Sequence, residues 1–265
     1  MSIFKQKVVW ITGASSGIGE ALVHAFAREG SLIVLSARRK EELERVKKAA
    51  GLNDNNALII PFDLSDTSGA ADYSKRIIEK FGRIDILINN GGQSQRAEAM
   101  ATSETIERQL MEVNYFSAIN LSKAVIPYML GQGTGQVVVI SSIAGKFGFY
   151  LRSTYSAAKH ALHGYFESLR LETEAKGLRI LMVCPGKVKT NVSFNAKTAD
   201  GQAHNRMDES HEHALSAEAC ASQILNGIKN QEEEILIGGK ELLAVKIKRF
   251  LPKLFGRIIR KQSPY

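Results

Sequence analysis

The sequence is poor in cysteine and has no long apolar run, and both absences narrow the class of protein. Cys184 and Cys220 are the only cysteines in 265 residues, and each lies in an apolar segment. Two cysteines make no disulfide framework and cannot alone build a zinc site, so we expect buried thiols and, by default, a reducing cytoplasmic setting. An uninterrupted apolar run of roughly eighteen residues is missing, and so is a signal-peptide pattern in MSIFKQKVVWITG, so neither a spanning helix nor a leader is predicted.

The net charge of +8 is concentrated at one end of the chain. Residues 240–265 contain eight Lys or Arg and a single acid, Glu241, and the rest of the chain is close to neutral. This distribution argues against a nucleic-acid partner, which the overall charge at first suggests.

The same basic tail is apolar at helical spacing. Its apolar positions are Leu243, Ile247, Phe250, Leu251, Leu254 and Ile258. A basic amphipathic segment is typical of contact with an anionic membrane surface, and the alternative is a terminal helix docked on its own domain or on a partner subunit. Pro252 must kink, break or start any helix there. We therefore predict a cytoplasmic location, with peripheral membrane contact through residues 240–265 as a second expectation.

Short apolar runs alternate with helical patterns along most of the chain. The predicted strands are Val8–Thr12, Leu32–Ser36, Ala57–Phe62, Ile84–Asn89, Gln136–Ser141, Arg179–Cys184 and Glu234–Ile237. The predicted helices are Ile18–Glu29, Glu41–Ala50, Ala70–Phe81, Glu104–Met129, Tyr155–Lys176 and Ala217–Lys229. Several strands lack polar alternation, as expected when helices cover both faces of a sheet. The pattern predicts an α/β protein, a three-layer α/β/α Rossmann fold with a doubly wound parallel seven-stranded sheet, in one domain at 1–239.

One irregular polar stretch, 187–216, follows a predicted strand. Loops of this length in a compact domain are usually lids or binding loops, so we expect a substrate loop here. Its histidines, His204, His211 and His213, are irregularly spaced, and no nearby cysteine or paired acid completes a ligand set. We interpret them as solvated loop residues and predict no metal.

A glycine-rich turn, TGASSGIG at 12–19, joins the first predicted strand to a helix. Such a turn presents backbone N–H groups and a helix N-terminus to a pyrophosphate, although tight turns need glycine in any case. The candidate cofactor residues here are Gly13, Ser15, Ser16, Gly17, Ile18 and Gly19.

The second strand ends in LSARRK, where a cofactor with a free ribose 2′-hydroxyl would be held by an acid. Arg38 and Arg39 lie there instead, and a guanidinium suits a phosphate. This predicts NADP(H), with Arg38 as the first candidate. Arg39 and Lys40 also fit a solvated helix N-terminus.

Several motifs together resemble the short-chain dehydrogenase/reductase family. These are TGASSGIG, NNGG at 89–92 with Gly91 in place of the usual alanine, PGKVKT at 185–190, and Asn114, Ser142, Tyr155 and Lys159 at the family's catalytic positions. NNGGQSQR, YSAAKHAL, PGKVKTNV and LSARRKEELERVK resemble the member-seven dehydrogenase/reductases, relatives of the 11β-hydroxysteroid dehydrogenases. The resemblance implies an NADP(H)-dependent oxidoreductase for a small carbonyl or alcohol, with lipophilic substrates such as steroids or retinoids expected.

Tyr155 and Lys159 are four residues apart, so they share one face of a helix. The resemblance makes Tyr155 the proton donor or acceptor, with Lys159 and an oxidised nicotinamide expected to lower its pKa. It gives Ser142 a second hydrogen bond to the substrate oxygen, and Asn114 a water that connects Lys159 to solvent. Asn114 could also be a packing residue or mark a kinked turn. Ser141 is expected to point away from Ser142.

The resemblance also implies further contacts. The cofactor residues are Asp63, Leu64, Asn90, Gly91, Gly92, Tyr155, Lys159, Pro185, Gly186, Val188 and Thr190, and the substrate residues are Ser142, Gln93, Ser94, Phe147, Phe149 and Tyr150. Asp63 could instead cap a helix after Ser65. The aromatic residues could equally be ordinary packing.

Family members of this kind self-associate, so a homodimer or homotetramer through 104–129 and 155–176 is implied. The alternative functions are a non-catalytic cofactor-binding protein of the same fold and a peripheral membrane protein whose enzyme activity is secondary.

Overall fold

A computed structural model describes residues 2–190, 192–194, 196–205 and 214–262. Seven parallel strands form one sheet in the order β3-β2-β1-β4-β5-β6-β7. The strands are β1 Val8–Thr12, β2 Leu32–Ser36, β3 Ala57–Ile59, β4 Ile86–Asn89, β5 Gly135–Ile140, β6 Leu178–Pro185 and β7 Glu234–Ile237. The strand order reverses between β1 and β4, which is where a doubly wound sheet opens a crevice at its carboxyl edge.

Helices cover both faces of this sheet. They are α1 Gly17–Arg28, α2 Lys40–Ala49, α3 Ala70–Phe81, α4 Glu104–Met111, α5 Ser117–Gly131, α6 Ser153–Thr173, α7 Ala217–Lys229, α8 Leu243–Phe250 and α9 Pro252–Arg260. Successive side chains of β1 point to opposite faces of the sheet. Val9 and Ile11 pack with α1 and α7 on one face, whereas Val8 and Trp10 pack with α5 and α6 on the other. The predicted three-layer α/β/α fold with a seven-stranded parallel sheet is confirmed.

Two strands are shorter than the apolar runs predict, and local hydrogen bonds and proline explain both. β3 ends at Ile59, two residues before Pro61, which has no N–H to donate to a ladder. β4 begins at Ile86 because the backbone N–H and C=O of Ile84 are hydrogen-bonded to the Gln132 side chain, at 3.1 and 2.9 Å. The Gln132 carboxamide thus bonds the Ile84 backbone groups that a neighbouring strand would otherwise pair with.

The predicted helix Glu104–Met129 is interrupted. A π-helical turn, Glu112–Phe116, separates α4 from α5. Asn114 lies in that turn, and its Nδ2 donates to the Leu110 carbonyl oxygen at 2.8 Å. The kinked-turn alternative for Asn114 is therefore what the backbone adopts, and π turns of this kind are frequent at functional sites.

The basic tail is docked on the domain. Pro252 starts α9 at its first turn. Phe255 is buried with Ile143 and Phe147 in a small apolar cluster to which the inner faces of α8 and α9 contribute. The docked-helix alternative is thus realised for one face of the tail, while Leu243, Phe250, Leu251, Leu254 and Ile258 remain exposed on the other. Among the described residues, none of the helices combines the length and apolarity needed to cross a bilayer.

Candidate active site

The glycine turn at 12–19 is built by close backbone approach. Gly13 has φ +64°, and a Cβ added to it would lie 2.8 Å from the Gly91 Cα and 2.9 Å from the Asn90 Nδ2. Thr12 Oγ1 accepts the backbone N–H groups of Asn90 and Gly91, both at 3.0 Å. A Cβ on Gly19 would collide with the Gly13 carbonyl oxygen. The ends of β1 and β4 are therefore locked together beside the start of α1.

The remaining predicted turn residues converge on the same edge of the sheet. A Cβ on Gly17, where φ is +56°, would lie 3.1 Å from the Thr190 Cγ2, so Thr190 covers the turn. The Leu64 side chain fills the space that a methyl group on Gly91 would occupy, which accounts for glycine where the family has alanine. Ser15, Ser16 and Ile18 complete the turn, Gly92 follows Gly91, and Pro185, Gly186 and Val188 lead from β6 towards Thr190.

Arg38 and Asp63 lie side by side at the ends of β2 and β3. The Arg38 Nη1 is 3.9 Å from the Asp63 Oδ2, and 70% of the Arg38 side chain is exposed. The Asp63 Oδ1 accepts from the N–H and hydroxyl of Ser65, both at 2.9 Å, but α3 begins only at Ala70, so Asp63 caps a turn and no helix. Arg39 is exposed and occupies the N-cap position of α2, in line with the solvated-terminus alternative.

Tyr155 and Lys159 lie on one face of α6, as their spacing predicts. The Lys159 Nζ is 5.7 Å from the centroid of the Tyr155 ring and donates to the Ile140 carbonyl oxygen at 2.8 Å. Lys159 is 4% exposed, and this burial lowers its pKa to about 8. An amine that changes charge near neutral pH is suited to passing protons.

Ser142 lies just beyond β5, on the same side as Tyr155. Its Oγ accepts the Ala144 N–H at 3.1 Å and donates to the Pro185 carbonyl oxygen at 3.4 Å, and it lies close enough to Tyr155 to lower the pKa of the phenol. Ser141 points the other way, as predicted, with its Oγ 3.1 Å from the His163 Nε2. Ser142 therefore faces the Tyr155 phenol, whereas Ser141 faces His163 on the opposite side.

The acidity of Tyr155 differs from the sequence-based expectation. Burial raises the pKa of the phenol, and the nearby Ser142 hydroxyl and the charges of Arg152 and Arg96 only partly offset it. In the protein alone the pKa of Tyr155 is therefore not lowered, and the expected lowering by Lys159 together with an oxidised nicotinamide stays a prediction. Lys159 lies over the ring face, and its own burial already disfavours the charged form.

Asn114 is connected to the site by hydrogen bonds to Gln93, the residue after Gly92. Its Oδ1 accepts the Gln93 N–H at 3.1 Å, and its Nδ2 donates to the Gln93 carbonyl oxygen at 2.9 Å. A Cβ placed on Gly92 would lie 2.8 Å from the Asn114 Oδ1 and 3.5 Å from the Lys159 Nζ. Asn114 and Lys159 therefore both face the space that Gly92 leaves free.

The predicted substrate residues fall into two groups. Gln93 and Ser94 lie beside the predicted catalytic residues, and Ser94 is buried. Phe147 is also buried, with ring centroids 4.7 Å from Phe149 and 4.8 Å from Phe255 of the tail. For Phe147 these are the contacts of a packing residue. Phe149 is partly exposed and Tyr150 is 40% exposed.

Sequence reasoning missed three charged residues near the site. Arg96 donates to the hydroxyls of Ser94 and Ser193, each at 3.2 Å, and it and Arg152 act electrostatically on Tyr155. The carboxylate of Glu241 accepts the Lys187 N–H at 3.1 Å, which ties the tail to the segment after β6. Of these three residues, only Glu241 could have been noticed in the sequence, because it is the single acid in the basic tail 240–265.

Behind α6, His163, Cys184 and Glu234 place one ligand atom each within 4.8 Å of one another. The Lys146 ammonium is paired with Glu234 and lies 3.4 Å from the His163 Nδ1, so a cationic group already occupies this place. Burial raises the pKa of Cys184 and of Cys220 to about 12, and both are free thiols, as predicted. His204 is half-buried, whereas His211 and His213 lie outside the described residues.

Comparison with known proteins assigns the family. The model of the short chain dehydrogenase family matches residues 7–201. The chain is 38% identical over 262 residues to a Drosophila melanogaster dehydrogenase/reductase SDR family protein 7-like, covering 97% of this chain and 80% of the relative. It is 39% identical over 245 residues to human dehydrogenase/reductase SDR family member 7, covering 90% and 72%.

A solved structure agrees with this assignment at the level of the fold. A short-chain dehydrogenase/reductase from Burkholderia phymatum, crystallised in complex with NAD, superposes with a TM-score of 0.83 at 23% identity, covering 96% of both chains. The resemblance predicted from the motifs is confirmed. The chain belongs to the short-chain dehydrogenase/reductase family of oxidoreductases and is similar to its member-seven subgroup.

Proposed function

We propose that the protein is an NADP(H)-dependent oxidoreductase that interconverts a carbonyl and an alcohol. The observation that carries this proposal is the meeting of Tyr155 and Ser142 next to Lys159 at the edge of the sheet where the glycine turn opens. A proton donor, a second hydrogen-bond donor and a titratable amine are the groups that carbonyl reduction requires.

The residues around the turn fit a nicotinamide dinucleotide. The absence of side chains at Gly13, Gly17 and Gly19 lets a pyrophosphate approach the N-terminus of α1. Arg38, which is exposed and stands after β2 where NAD-binding proteins of this fold have an acid, supports recognition of a 2′-phosphate and hence NADP(H). Thr190 and Lys159 would hold the nicotinamide half. When bound, the cofactor would supply or accept the hydride.

The chain's own residues would move the proton. Tyr155 would give its phenolic proton to the carbonyl oxygen, while Ser142 donates a second hydrogen bond to the same oxygen. The raised pKa keeps the phenol protonated in the protein alone, which favours its role as an acid. The space at Gly92, bounded by the Asn114 Oδ1 and the Lys159 Nζ, suits a bridging water that would return a proton to Tyr155 through Lys159.

A lipophilic substrate is supported by the apolar side chains exposed around the site. Tyr150 follows the catalytic Ser142, and Val192 and Phe194, both about 40% exposed, lie on the loop where Ser193 contacts Arg96. Apolar walls with a few convergent polar groups are typical of small-molecule sites. We therefore expect steroid- or retinoid-like carbonyls to be favoured over sugars.

Turnover tests the proposal directly. The purified protein is mixed with NADPH and a panel of aldehydes, ketones and quinones, and the nicotinamide absorbance is followed. Tyr155→Phe is expected to lower kcat by about 10²–10⁴-fold, the usual contribution of a general acid, while NADPH affinity measured by calorimetry is unchanged. Undiminished turnover in Tyr155→Phe would refute the mechanism, and tight NADPH binding with no turnover would favour the non-catalytic alternative.

The outer face of the tail supports contact with an anionic bilayer. Phe250 and Leu251 are more than half exposed, and Leu254 and Ile258 extend the same surface along α9. Exposed basic residues border it: Lys246, Lys248, Arg249, Lys253, Arg257, Arg260 and Lys261. Exposed apolar side chains bordered by cations match an anionic lipid surface.

Vesicle sedimentation tests this contact with variants that preserve the packed face. Phe250→Ser with Leu251→Ser is expected to lose binding to phosphatidylserine vesicles, and wild type is expected to bind phosphatidylcholine vesicles weakly. Ser substitution at the exposed Leu171 of α6 is the control, because it removes an apolar side chain away from the tail. Equal sedimentation of wild type with both lipids, or no binding at all, would reject the proposal.

Self-association is supported by exposed apolar side chains on the helices expected to form the interface. Phe116 precedes α5, Tyr128 lies on it, and Leu171 on α6 is 82% exposed. Light scattering coupled to gel filtration would distinguish a dimer or tetramer from a monomer.

A further inference from the structure

The first turn of α6 takes its cap from a residue far away in the chain. Arg152 occupies the N-cap position, but its side chain makes no capping hydrogen bond. The Gln95 Oε1 accepts the N–H of Thr154 at 2.9 Å and the N–H of Tyr155 at 3.2 Å. Two helix N–H groups that lack intrahelical partners are thereby satisfied.

The other end of the same carboxamide is also bonded. The Gln95 Nε2 donates to the Thr102 Oγ1 at 3.0 Å and lies 3.4 Å from the Ser153 Oγ. Gln95 is 0% exposed. The Gln95 carbonyl oxygen meets N–H donors and the Gln95 NH₂ group meets hydroxyl acceptors, so the amide has one favourable orientation. These bonds fix the start of α6 relative to residues 94–102.

The segment that carries Gln95 also joins two other parts of the site. The Lys197 N–H, on the predicted substrate loop, donates to the Ser94 carbonyl oxygen at 2.9 Å, and the Arg96 N–H donates to the Lys197 carbonyl oxygen at 2.8 Å. The Ala97 N–H donates to the Leu151 carbonyl oxygen at 3.1 Å. Gln95 therefore lies between the substrate loop and the helix that carries Tyr155.

We propose that Gln95 is a positioning residue for the reaction, whose buried carboxamide fixes the backbone of Tyr155 so that the phenol meets Ser142. The inference rests on the proposed role of Tyr155 as the proton donor. It goes beyond that role because Gln95 acts through the backbone of α6. A displacement of about 1 Å at a reacting group can cost on the order of 10²-fold in rate.

Three variants separate positioning from general stability. Gln95→Met keeps the length and burial of the side chain but removes all four polar contacts. Gln95→Glu keeps an acceptor for the two N–H groups and adds a negative charge near Tyr155. Gln132→Met is the matched control. The Gln132 carboxamide likewise bonds the backbone N–H and C=O of Ile84, but it does so at the amino-terminal edge of the sheet, away from the site.

The kinetic probe is 9,10-phenanthrenequinone, reduced with NADPH. Gln95→Met is expected to lower kcat about tenfold or more with unchanged NADPH affinity, and Gln132→Met to leave both at wild-type values. Wild-type kcat in Gln95→Met would overturn the proposal. If Gln95→Met does not fold, Gln95→Glu decides the matter through the acidity of Tyr155.

That second readout needs no substrate. The protein is labelled with 3,5-difluorotyrosine, whose phenol titrates near neutral pH, and the ¹⁹F signal of Tyr155 is assigned by its loss in Tyr155→Phe. Gln95→Glu is expected to raise the pKa of this phenol by about one unit, because the new carboxylate would accept the backbone N–H of the same residue and add a negative charge to its surroundings. An unchanged titration would overturn this proposal alone, whereas failure of Tyr155→Phe to lower turnover would overturn the proposed function together with the inference that rests on it.

Discussion

The cofactor half and the catalytic half of the site are held together by different means. In the cofactor half, residues 12–19 and 89–92, the backbones of Gly13 and Gly91 touch, and no side chain fits between them. In the catalytic half, residues 93–97, 141–150 and the start of α6, position depends on side chains that bond to backbone groups. Asn114 holds Gln93, and Gln95 holds Tyr155.

The difference predicts two kinds of response to substitution. A backbone contact leaves no room, so an added methyl group must displace a strand end or a turn. A side-chain hydrogen bond contributes about 1 kcal/mol, or up to roughly 3 kcal/mol when a charge takes part, so its loss shifts an equilibrium by a limited factor. We expect abrupt failure in the first half and graded failure in the second.

The largest effect is expected from Gly13→Ala. The new Cβ would lie 2.8 Å from the Gly91 Cα, in a residue with φ +64°, so the turn must open and NADPH affinity should fall by roughly 100-fold or more. Gly51→Ala is the control, because Gly51 has a similar φ of +70° with nothing within 4 Å of the added Cβ. Calorimetry should show wild-type NADPH affinity for the control. Equal losses in both variants would mean that backbone strain, and not the contact, is responsible.

A graded effect is also expected at Arg38, which follows β2 and lies outside residues 12–19 and 89–92. Its side chain is exposed and acts by charge, so Arg38→Ser should weaken NADPH binding about 10–100-fold and leave NADH binding unchanged. Arg39→Ser, at the N-cap position of α2, should change neither by more than a small factor. Titration of both nucleotides against the three proteins decides this. Tighter binding of NADH than NADPH by wild type would contradict the assignment.

The layout of the fold could be predicted from the sequence because strands buried on both faces produce continuous apolar runs, as in LIVLS of β2 and GQVVVI of β5. The catalytic candidates could be named from the sequence because Tyr155 and Lys159 lie in one short motif and Asn114 and Ser142 fall at the family's catalytic positions. The start of β4 could not, because it depends on the Gln132 side chain bonding to Ile84, 48 residues away in the chain. The same holds for Gln95 at α6 and Glu241 at Lys187, which are contacts that no local pattern encodes.

Buried charge in the catalytic half should cost stability, and its pH dependence has a definite sign. The folded pKa of Lys159 is lowered to about 8 from 10.5, so the unfolded chain binds more protons between these values and stability rises with pH across that interval. Lys159→Met without cofactor should therefore be more stable than wild type at pH 7, by about 2 kcal/mol after the lost bond to Ile140 is allowed for. The advantage should disappear above about pH 10.5.

Urea unfolding at a series of pH values measures this difference. Lys123→Met, at an exposed lysine of α5, is the control and should show no comparable gain. A Lys159→Met protein that is less stable than wild type at pH 7 would mean that the bond to the Ile140 carbonyl oxygen outweighs the cost of burying the ammonium.

The smallest effect is expected where the tail meets the segment after β6. Burial raises the pKa of Glu241, but backbone N–H groups of Lys187, Glu241 and Gly239 lower it more, so the net shift is below the usual value of 4.5. A lowered folded pKa contributes stability that is present above the unfolded value and is lost as the pH falls through the folded one. Glu241→Gln should thus cost about 1 kcal/mol at pH 7, and this cost should disappear as the pH falls through the folded pKa of Glu241, which lies below 4.5.

Thermal unfolding of Glu241→Gln and of Glu232→Gln, an exposed carboxylate outside this contact, at pH 7 and at acid pH checks the prediction. Only the first should lose stability, and only at neutral pH. Because a Cβ on Gly186 would collide with the Glu241 side chain, this carboxylate also sets how closely the tail approaches the segment that leads to Thr190. A loss that is the same at both pH values would mean that packing against Gly186, rather than charge, holds the tail in place.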